Sequence, residues 1–283
     1  MPTIDHDHLL DALTEGIERL TTSATWRAHL EVQSRFHRYS FSNTLLICAQ
    51  DPGASRVAGF ATWKKLGRSV MKGEHAIWIL APMTGRRTRT DEDEERRPIV
   101  GFRPVAVFDV GQTEGEALPQ VCRTLSGHDS AAWFARLTAC ATALGYSVVS
   151  TELPGATNGD CAFRRRRIRV ECRNDPAQQV KTLAHELAHA LLHEGTDDRP
   201  LAELEAESTA YVVCRTLGLD TGEYSFGYVA CWAGGGPEAV ARIRASGSRI
   251  QRAATVILGS LEDDGSDGDV GRGPEPAPAD SAA

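Results

Sequence analysis

The 283-residue sequence has the composition of a globular protein in water, with 41% hydrophobic and 24% charged residues. No apolar run approaches the roughly 18 residues that a membrane span requires, and the opening MPTIDHDHLL lacks the basic and apolar regions of a signal peptide. Seven scattered cysteines with no CxxC pair argue against a disulfide framework or a cysteine-based zinc site, so we expect a cytoplasmic protein.

The net charge of −7 is unevenly distributed along the chain. Residues 262–283 hold seven acidic residues against one Arg, and their Gly, Pro, Asp and Ser content predicts a disordered acidic tail. Residues 26–90 instead hold eleven Lys or Arg against three acidic residues. A polyanion can therefore dock on this segment although the whole chain is acidic.

The predicted secondary structure of the first half mixes helical and extended patterns. Apolar residues at three- and four-residue spacing predict helices, and runs of Ile, Val, Phe and Trp predict strands. These patterns place helices over 5–36, 42–50 and 60–66, strands over 75–83 and 99–110, and a linker over 111–128.

The second half is predicted to be mainly helical. Its predicted elements are a helix over 130–144, a strand over 146–152, a hairpin over 161–172, and helices over 176–194, 200–217 and 237–258. The sequence thus predicts an α+β fold class, with an N-terminal α+β domain at 1–118, a mainly helical domain at 119–260 and the tail at 261–283.

The motif AHELAH at residues 184–189 is the strongest chemical signal. Residues four apart share one face of a helix, so His185 and His189 can direct both imidazoles at one cation. Glu186 then lies beside the open coordination position, where it can take a proton from water as a general base. An ordinary core helix with two hydrogen-bonded histidines is the alternative. We interpret the motif as a Zn²⁺ site of the HExxH metallopeptidase type, with Glu186 catalytic.

A zinc ion needs a third protein ligand. His193 is rotated about 80° from His185 around the helix, so we expect it at the surface or behind a ligand. In the next helix, Glu203 and Glu207 share a face, and their spacing resembles the E-x-x-x-D/E signature of gluzincin metallopeptidases. That resemblance implies that Glu203 binds the metal and that Glu207 orients a ligand histidine. Glu207 stays open as the alternative ligand.

Other parts of a peptidase site are less sharply specified. Tyr211, Tyr224 and Tyr228 are candidate transition-state stabilisers, because a phenol can donate a hydrogen bond to developing negative charge, although each can equally be a core tyrosine. The strand at 168–171 is a candidate edge strand for pairing with an extended protein substrate.

The N-terminal half interleaves basic and aromatic residues, as single-stranded nucleic-acid binders do. Cations follow the phosphates in such sites, while aromatic rings stack on bases. The candidates are Arg35, Arg38, Tyr39, Trp63, Lys64, Lys65, Arg68 and Lys72. Trp63 stands in apolar company and can instead be a core residue.

Three motifs of this half are YSxxNTLLI, WKKLGRxVxKGE and VFDVGQT. They resemble the N-terminal domain of ArdC-type antirestriction proteins over residues 8–118, and the likeness resumes over 175–235. The resemblance implies a domain that binds single-stranded DNA followed by a zincin-like metallopeptidase domain, and it adds Asn43 to the DNA-binding candidates. The run HELAHALLH is also similar to the ImmA/IrrE metallopeptidases, which act on repressor proteins.

Three functions are compatible with these patterns. The first is a protein that binds single-stranded DNA and carries a zinc-dependent peptidase domain, with an antirestriction, DNA-protecting or regulatory role. The second is a regulatory peptidase that cleaves a repressor. The third is a non-enzymatic DNA-binding protein in which zinc is structural. A membrane partner is not expected.

Overall fold

The computed structural model describes residues 6–84, 98–117, 130–219 and 237–261. The predicted acidic tail at 262–283 and two tyrosine candidates, Tyr224 and Tyr228, lie outside these ranges. The chain divides into two compact units: residues 1–16 and 42–118 contribute to the first, and residues 17–41 and 119–268 contribute to the second. Helices and strands occur together, which confirms the α+β fold class.

The first unit combines short helices with antiparallel strands. Its elements are α1 (His6–Glu18, whose last turn passes beyond residue 16), α3 (Phe41–Gln50), α4 (Phe60–Lys65), β1 (Val57–Ala58), β2 (Arg68–Val70), β3 (Ile77–Thr84), β4 (Ile99–Asp109) and β5 (Thr113–Gly115). One sheet has the order β1-β4-β3 and a second pairs β2 with β5, all antiparallel. The predicted strands therefore pair with each other, and β5 lies where a linker was predicted.

The core of this unit forms around Trp63, which packs with Ala58 and Phe108. The Trp63 indole is fully buried, and its Nε1–H donates to the carbonyl oxygen of Phe108 at 2.9 Å. Burial of a large aromatic ring with its polar atom satisfied fixes α4 against β4.

The long helix predicted over 5–36 is interrupted. After α1, residues Arg19–Thr21 form a short 3₁₀ turn, and α2 begins at Ser23 and ends at Arg35. Thr22 has an extended backbone and its hydroxyl accepts from the Thr25 amide, so it caps a new helix. Apolar spacing continues across the break, which is why periodicity alone merged the two helices.

The second unit packs helices against a small mixed sheet. Its elements are α2, α5 (Ser130–Ala143), β6 (Ser147–Thr151), β7 (Gly159–Ala162), β8 (Arg167–Glu171), α6 (Pro176–Leu192), α7 (Arg199–Thr216) and α8 (Pro237–Gly259). The strand order is β6-β8-β7, with β6 parallel and β7 antiparallel to β8. The strand proposed from sequence as an edge, 168–171, is therefore wrong in that role, because β8 is paired on both sides.

Helix α2 packs on α7 within this unit. The buried indole of Trp26 donates to the Ser208 hydroxyl at 3.0 Å, and the Thr216 hydroxyl donates to the carbonyl oxygen of Ser34 at 2.9 Å. Residues 17–41 thus group with the second unit, although the sequence division assigned them to a domain ending at 118.

Among the described residues, no helix has the length and hydropathy to cross a membrane.

Candidate metal centre

Helix α6 presents the two histidines of the HELAH motif side by side. Asp175 caps the helix through the amides of Ala177 and Gln178, and Pro176 occupies the first turn. Because His185 and His189 are one turn apart, their Nε2 atoms lie only 3.0 Å from each other. Both rings are partly buried, so they are held in place while one side stays accessible.

Helix α7 brings a carboxylate to the same point. The Glu203 oxygens lie 3.4 Å from His185 Nε2 and 3.8 Å from His189 Nε2. One ligand atom from each of the three residues falls within 4.8 Å of the others. The Glu203 side chain is 52% exposed, so the cluster opens to solvent on that side. The three side chains to which the sequence assigned the metal are thus brought together.

Glu207 lies behind the cluster. One of its oxygens is 3.2 Å from His185 Nδ1, and the other is 3.1 Å from the Lys181 ammonium group. A carboxylate on Nδ1 makes that nitrogen the protonated one and leaves Nε2 for a cation. The position of Glu207 therefore matches the orienting role that the gluzincin resemblance implies, and Glu203 is the acid that reaches both Nε2 atoms.

A second support holds the other histidine: His193 lies behind a ligand, one of the two positions expected from the sequence, whereas its partners Glu205 and Arg249 were not predicted. His193 lies with its Nδ1 3.0 Å from His189 Nδ1 and its Nε2 3.1 Å from the Glu205 carboxylate. Glu205 also accepts hydrogen bonds from the Arg249 guanidinium of α8. The same i, i+4 spacing that pairs His185 with His189 also pairs His189 with His193, and that spacing was the available signal.

Glu186 faces a different environment from the ligands. Burial raises the pKa of its carboxyl to about 7, with the charges of Asp160 and Glu203 adding to the effect and His185 opposing it. Strand β7 passes directly over it, since a Cβ added to Gly159 would lie 3.0 Å from Glu186 Oε1. A carboxylate with a pKa near neutrality suits a residue that both takes and returns a proton.

The donor set fits a divalent cation. Four-coordinate zinc with imidazole ligands places neighbouring ligand atoms about 3.3 Å apart, close to the 3.0, 3.4 and 3.8 Å found among His185, His189 and Glu203. The local field also favours a cation: burial opposes protonation of His185, but hydrogen bonds to Glu203 and Glu207 outweigh it and raise its pKa to about 9. Hydrogen bonds from both histidines hold the pKa of Glu203 well below its usual value.

The described tyrosine candidate, Tyr211, has another partner. It lies on α7, and its hydroxyl donates to Glu31 of α2 at 2.8 Å. A role in stabilising an oxyanion would require this hydrogen bond to break. Tyr224 and Tyr228, the other candidates named from the sequence, fall outside the described residues.

Four of the nine predicted DNA-binding residues make structural contacts instead. Trp63 and Tyr39 are buried and cannot stack on a base in this conformation. Asn43 is also buried, where its side-chain amide donates to the carbonyl of Leu80 and accepts from the amide of the same residue, both at 2.9 Å. The guanidinium of Arg68 binds β5, where it donates to the hydroxyl and to the carbonyl oxygen of Thr113, both at 2.8 Å. These four assignments are corrected, because burial and internal hydrogen bonds occupy the groups that DNA would need.

The remaining candidates are accessible. Lys64 and Lys65 end α4, and Lys72 follows β2, so all three are exposed in the first unit. Arg35 is exposed and Arg38 is half-buried, and both belong to the second unit. The exposed lysines of the first unit present accessible ammonium groups, which phosphate binding requires.

Two segments of the chain match known protein families. Residues 6–108 match the family described as the N-terminal domain of anti-restriction factor ArdC, and residues 141–214 match the family described as the IrrE N-terminal-like domain. An uncharacterized protein of Bacillus anthracis is 26% identical over 276 residues. This match covers 81% of the chain and 46% of the relative, so the chain spans about half the length of the curated relative it matches.

Solved structures show a related fold. The antirestriction ArdC protein from the R388 plasmid, in its metal-free crystal structure, aligns with a TM-score of 0.55 over 88% of this chain and 97% of that one. Its Mn(II)-bound structure aligns with a TM-score of 0.51 over 92% of this chain and 100% of that one. Both are 21% identical to this sequence, a level at which the likeness extends to the fold.

Proposed function

We propose that this ArdC-like chain, in which an ArdC N-terminal domain is followed by an IrrE-like metallopeptidase domain, binds single-stranded DNA and carries a zinc-dependent peptidase site. Its biological role in this proposal is antirestriction or a related protection or regulation of DNA.

The peptidase part rests on one observation above the others. Three ligand atoms, from His185, His189 and Glu203, converge from two helices at spacings that suit one tetrahedral cation. Glu203 is half-exposed, and Glu186 directly follows the ligand His185 on α6. An accessible cation beside an unliganded carboxylate is the arrangement of a catalytic site rather than a closed structural one.

The residues divide the hydrolysis between them. His185, His189 and Glu203 would hold the ion, which supplies Lewis acidity towards a substrate carbonyl and a water molecule. Glu186 takes one proton from the attacking water as the carbon–oxygen bond forms, and delivers it to the amine as the carbon–nitrogen bond breaks. Its pKa of about 7 suits both directions of proton transfer at neutral pH.

The DNA-binding part is supported by charge and exposure. Lys64, Lys65 and Lys72 are exposed on the unit that contains most of the ArdC-like segment. Exposed ammonium groups bind phosphates without selecting a base sequence, which suits a general single-strand binder.

A regulatory peptidase that cleaves a repressor is the second candidate. The observation that favours it is the match of residues 141–214 to the IrrE N-terminal-like domain. In that case the N-terminal unit would recognise a protein, and oligonucleotide affinity would show little dependence on salt.

The test compares wild type with Glu186→Gln in three measurements. Metal content should stay stoichiometric in both proteins, and both should bind a labelled single-stranded oligonucleotide in a salt-dependent way. Cleavage of a mixed peptide library should fall by about 10²-fold or more in the variant, because the general base is removed. Wild-type protein without bound metal would sink the peptidase proposal, and equal cleavage by the variant would remove Glu186 from the mechanism.

A further inference from the structure

A continuous chain of hydrogen bonds leads from the metal centre to the C-terminal helix. It begins at His189 Nδ1, which lies 3.0 Å from His193 Nδ1. It continues from His193 Nε2 to Glu205 at 3.1 Å, and Arg249 Nε donates to the two Glu205 oxygens at 2.9 and 3.0 Å. The chain thus joins three helices, α6, α7 and α8.

The direction of these hydrogen bonds follows from their far end. Arg249 has only donors, and a carboxylate that receives its guanidinium is an acceptor, so the hydrogen between Glu205 and His193 belongs to Nε2 of the imidazole. An imidazole that carries its hydrogen on Nε2 offers the lone pair of Nδ1, and in that tautomer of His193 the hydrogen bond is donated by His189 Nδ1–H. The tautomer left to His189 has its lone pair on Nε2, the atom that lies beside His185 Nε2.

Burial makes this arrangement costly to change. The side chains of His193 and Glu205 are 5% and 2% exposed, respectively. In such surroundings hydrogen bonds and charge pairs are strong, and removal of one partner leaves the other unsatisfied. The support behind His185 is more open, since the Glu207 and His185 side chains are each 20% exposed.

We propose that His193, Glu205 and Arg249 form a positioning chain that fixes the ring orientation and tautomer of His189. Through Arg249, α8 then contributes to the affinity of the metal centre. This proposal rests on the metal site of the proposed function and extends it to a helix outside the HExxH and glutamate motifs. None of the three residues contacts the cation itself; each acts through the next.

The test measures metal binding by the full chain with Zn²⁺ and with Co²⁺ as a spectroscopic probe. His193→Phe keeps a planar ring and removes both nitrogens, and Arg249→Met keeps most of the side-chain length and removes the donors. Arg252→Met is the matched control, because Arg252 is exposed three residues further along the same helix. Thermal unfolding of the metal-free proteins identifies any variant that does not fold, and Arg249→Lys, which restores a donor, then replaces Arg249→Met.

Loss of a residue that orients a ligand weakens metal affinity by about 10–100-fold, and we expect this for His193→Phe together with an altered visible spectrum of the Co²⁺ protein. Arg249→Met should weaken affinity in the wild-type background and have no further effect in the His193→Phe background. Arg249→Lys should recover part of the loss, and Arg252→Met should match wild type.

Two failures can be told apart. Wild-type affinity and an unchanged Co²⁺ spectrum in His193→Phe would overturn the positioning chain while the metal site stands. Independent, additive losses in the double variant would overturn the claim that Arg249 acts through His193. Absence of metal from the wild-type protein would overturn the chain and the proposed function together.

Discussion

Three glutamates within five residues of α7 make different contacts: two meet the same histidine from opposite sides of its ring, and the third meets another histidine. Glu203 and Glu207 are four apart and face α6, where they meet the two nitrogens of His185. Glu205 stands about 200° around the helix from Glu203 and instead meets His193 and Arg249. Burial would raise the pKa of Glu205, but hydrogen bonds from His193 and Arg249 outweigh it and keep the pKa below its usual value.

The first prediction separates the two acids that the sequence left as alternative ligands. Glu203→Gln should remove a ligand and cause the larger loss of metal affinity, whereas Glu207→Gln should weaken affinity by about 10–100-fold through misorientation of His185. Chelator competition with Zn²⁺ measures both. A larger loss in Glu207→Gln would exchange their roles.

The second prediction concerns His29, a buried residue far in sequence from the metal ligands. Its ring packs edge-on to Phe41 at 4.8 Å, and burial lowers its pKa from 6.5 to about 4. Below pH 6.5 the unfolded chain binds a proton at this position that the folded chain refuses until about pH 4. Stability is therefore lost as pH falls through this window, by about 3 kcal/mol.

Substitution of His29 by Phe should abolish that loss. The free energy of unfolding of the variant, relative to wild type, should rise by about 3 kcal/mol between pH 7 and pH 4, because Phe cannot bind a proton. Urea unfolding at a series of pH values measures it, and His8→Phe at an exposed position is the control. Parallel pH profiles for wild type and His29→Phe would contradict the prediction.

At the scale of elements, the ArdC-like motifs mainly build the fold. Asn43 in YSxxNTLLI joins α3 to β3 through the backbone of Leu80. Asp109 in VFDVGQT accepts from the amides of Ser55, Arg56 and Gly111, which fixes the turn after β4. Motif residues with such contacts stabilise the fold, whereas DNA binding would use exposed residues of the same motifs. A sequence motif alone does not distinguish these two kinds of residue.

The third prediction separates these two classes. Lys64, Lys65 and Lys72 to Ala together should weaken single-strand binding and reduce the salt slope of log K by about two units, since each lost phosphate contact removes about 0.7. Asn43→Ala should instead destabilise the fold by about 1–3 kcal/mol and leave the slope of the folded protein unchanged. Titrations at several salt concentrations measure the slope. The control removes three exposed charges from α8, Arg242, Arg244 and Arg252; an equal effect there would contradict a specific basic face.

At the scale of the whole chain, sequence similarity and compactness divide the protein differently. The ArdC-like segment covers 6–108, but residues 17–41 pack with the peptidase-like unit. Helix α2 supplies Trp26 to that unit, and its Glu31 accepts hydrogen bonds from Tyr211 and Arg215 of α7. A fragment that starts at residue 119 would therefore lack a helix of the unit that holds the metal centre.

The fourth prediction compares two buried tryptophans of the two units. Trp26→Ala should destabilise the metal-binding unit by about 3–5 kcal/mol, so that bound metal is released at a lower urea concentration. Trp63→Ala creates a similar cavity in the first unit and should leave metal release unchanged. Metal release during urea unfolding is the measurement. Equal effects of the two substitutions would contradict the assignment of α2 to the second unit.

The sequence by itself determined the features that depend on short spacings. Helices α6, α7 and α8 lie within two residues of their predicted bounds, because caps and apolar periodicity are local signals. The pair His185 and His189 with Glu186 followed from the helical repeat alone. The hairpin of β7 and β8 was likewise recognisable from its own residues.

Only the tertiary structure decided which side chains meet across elements. Nothing in local spacing states that Arg249 reaches Glu205 over 44 positions, that Arg68 clamps β5, or that Trp63 is buried instead of open to a base. Such contacts depend on how elements pack, and packing is set by the summed burial of many residues rather than by any motif. The metal ligands, and Glu207 as the acid behind one of them, could therefore be proposed from sequence, while the contact of Glu205 with Arg249 and the burial of the aromatic residues required the fold.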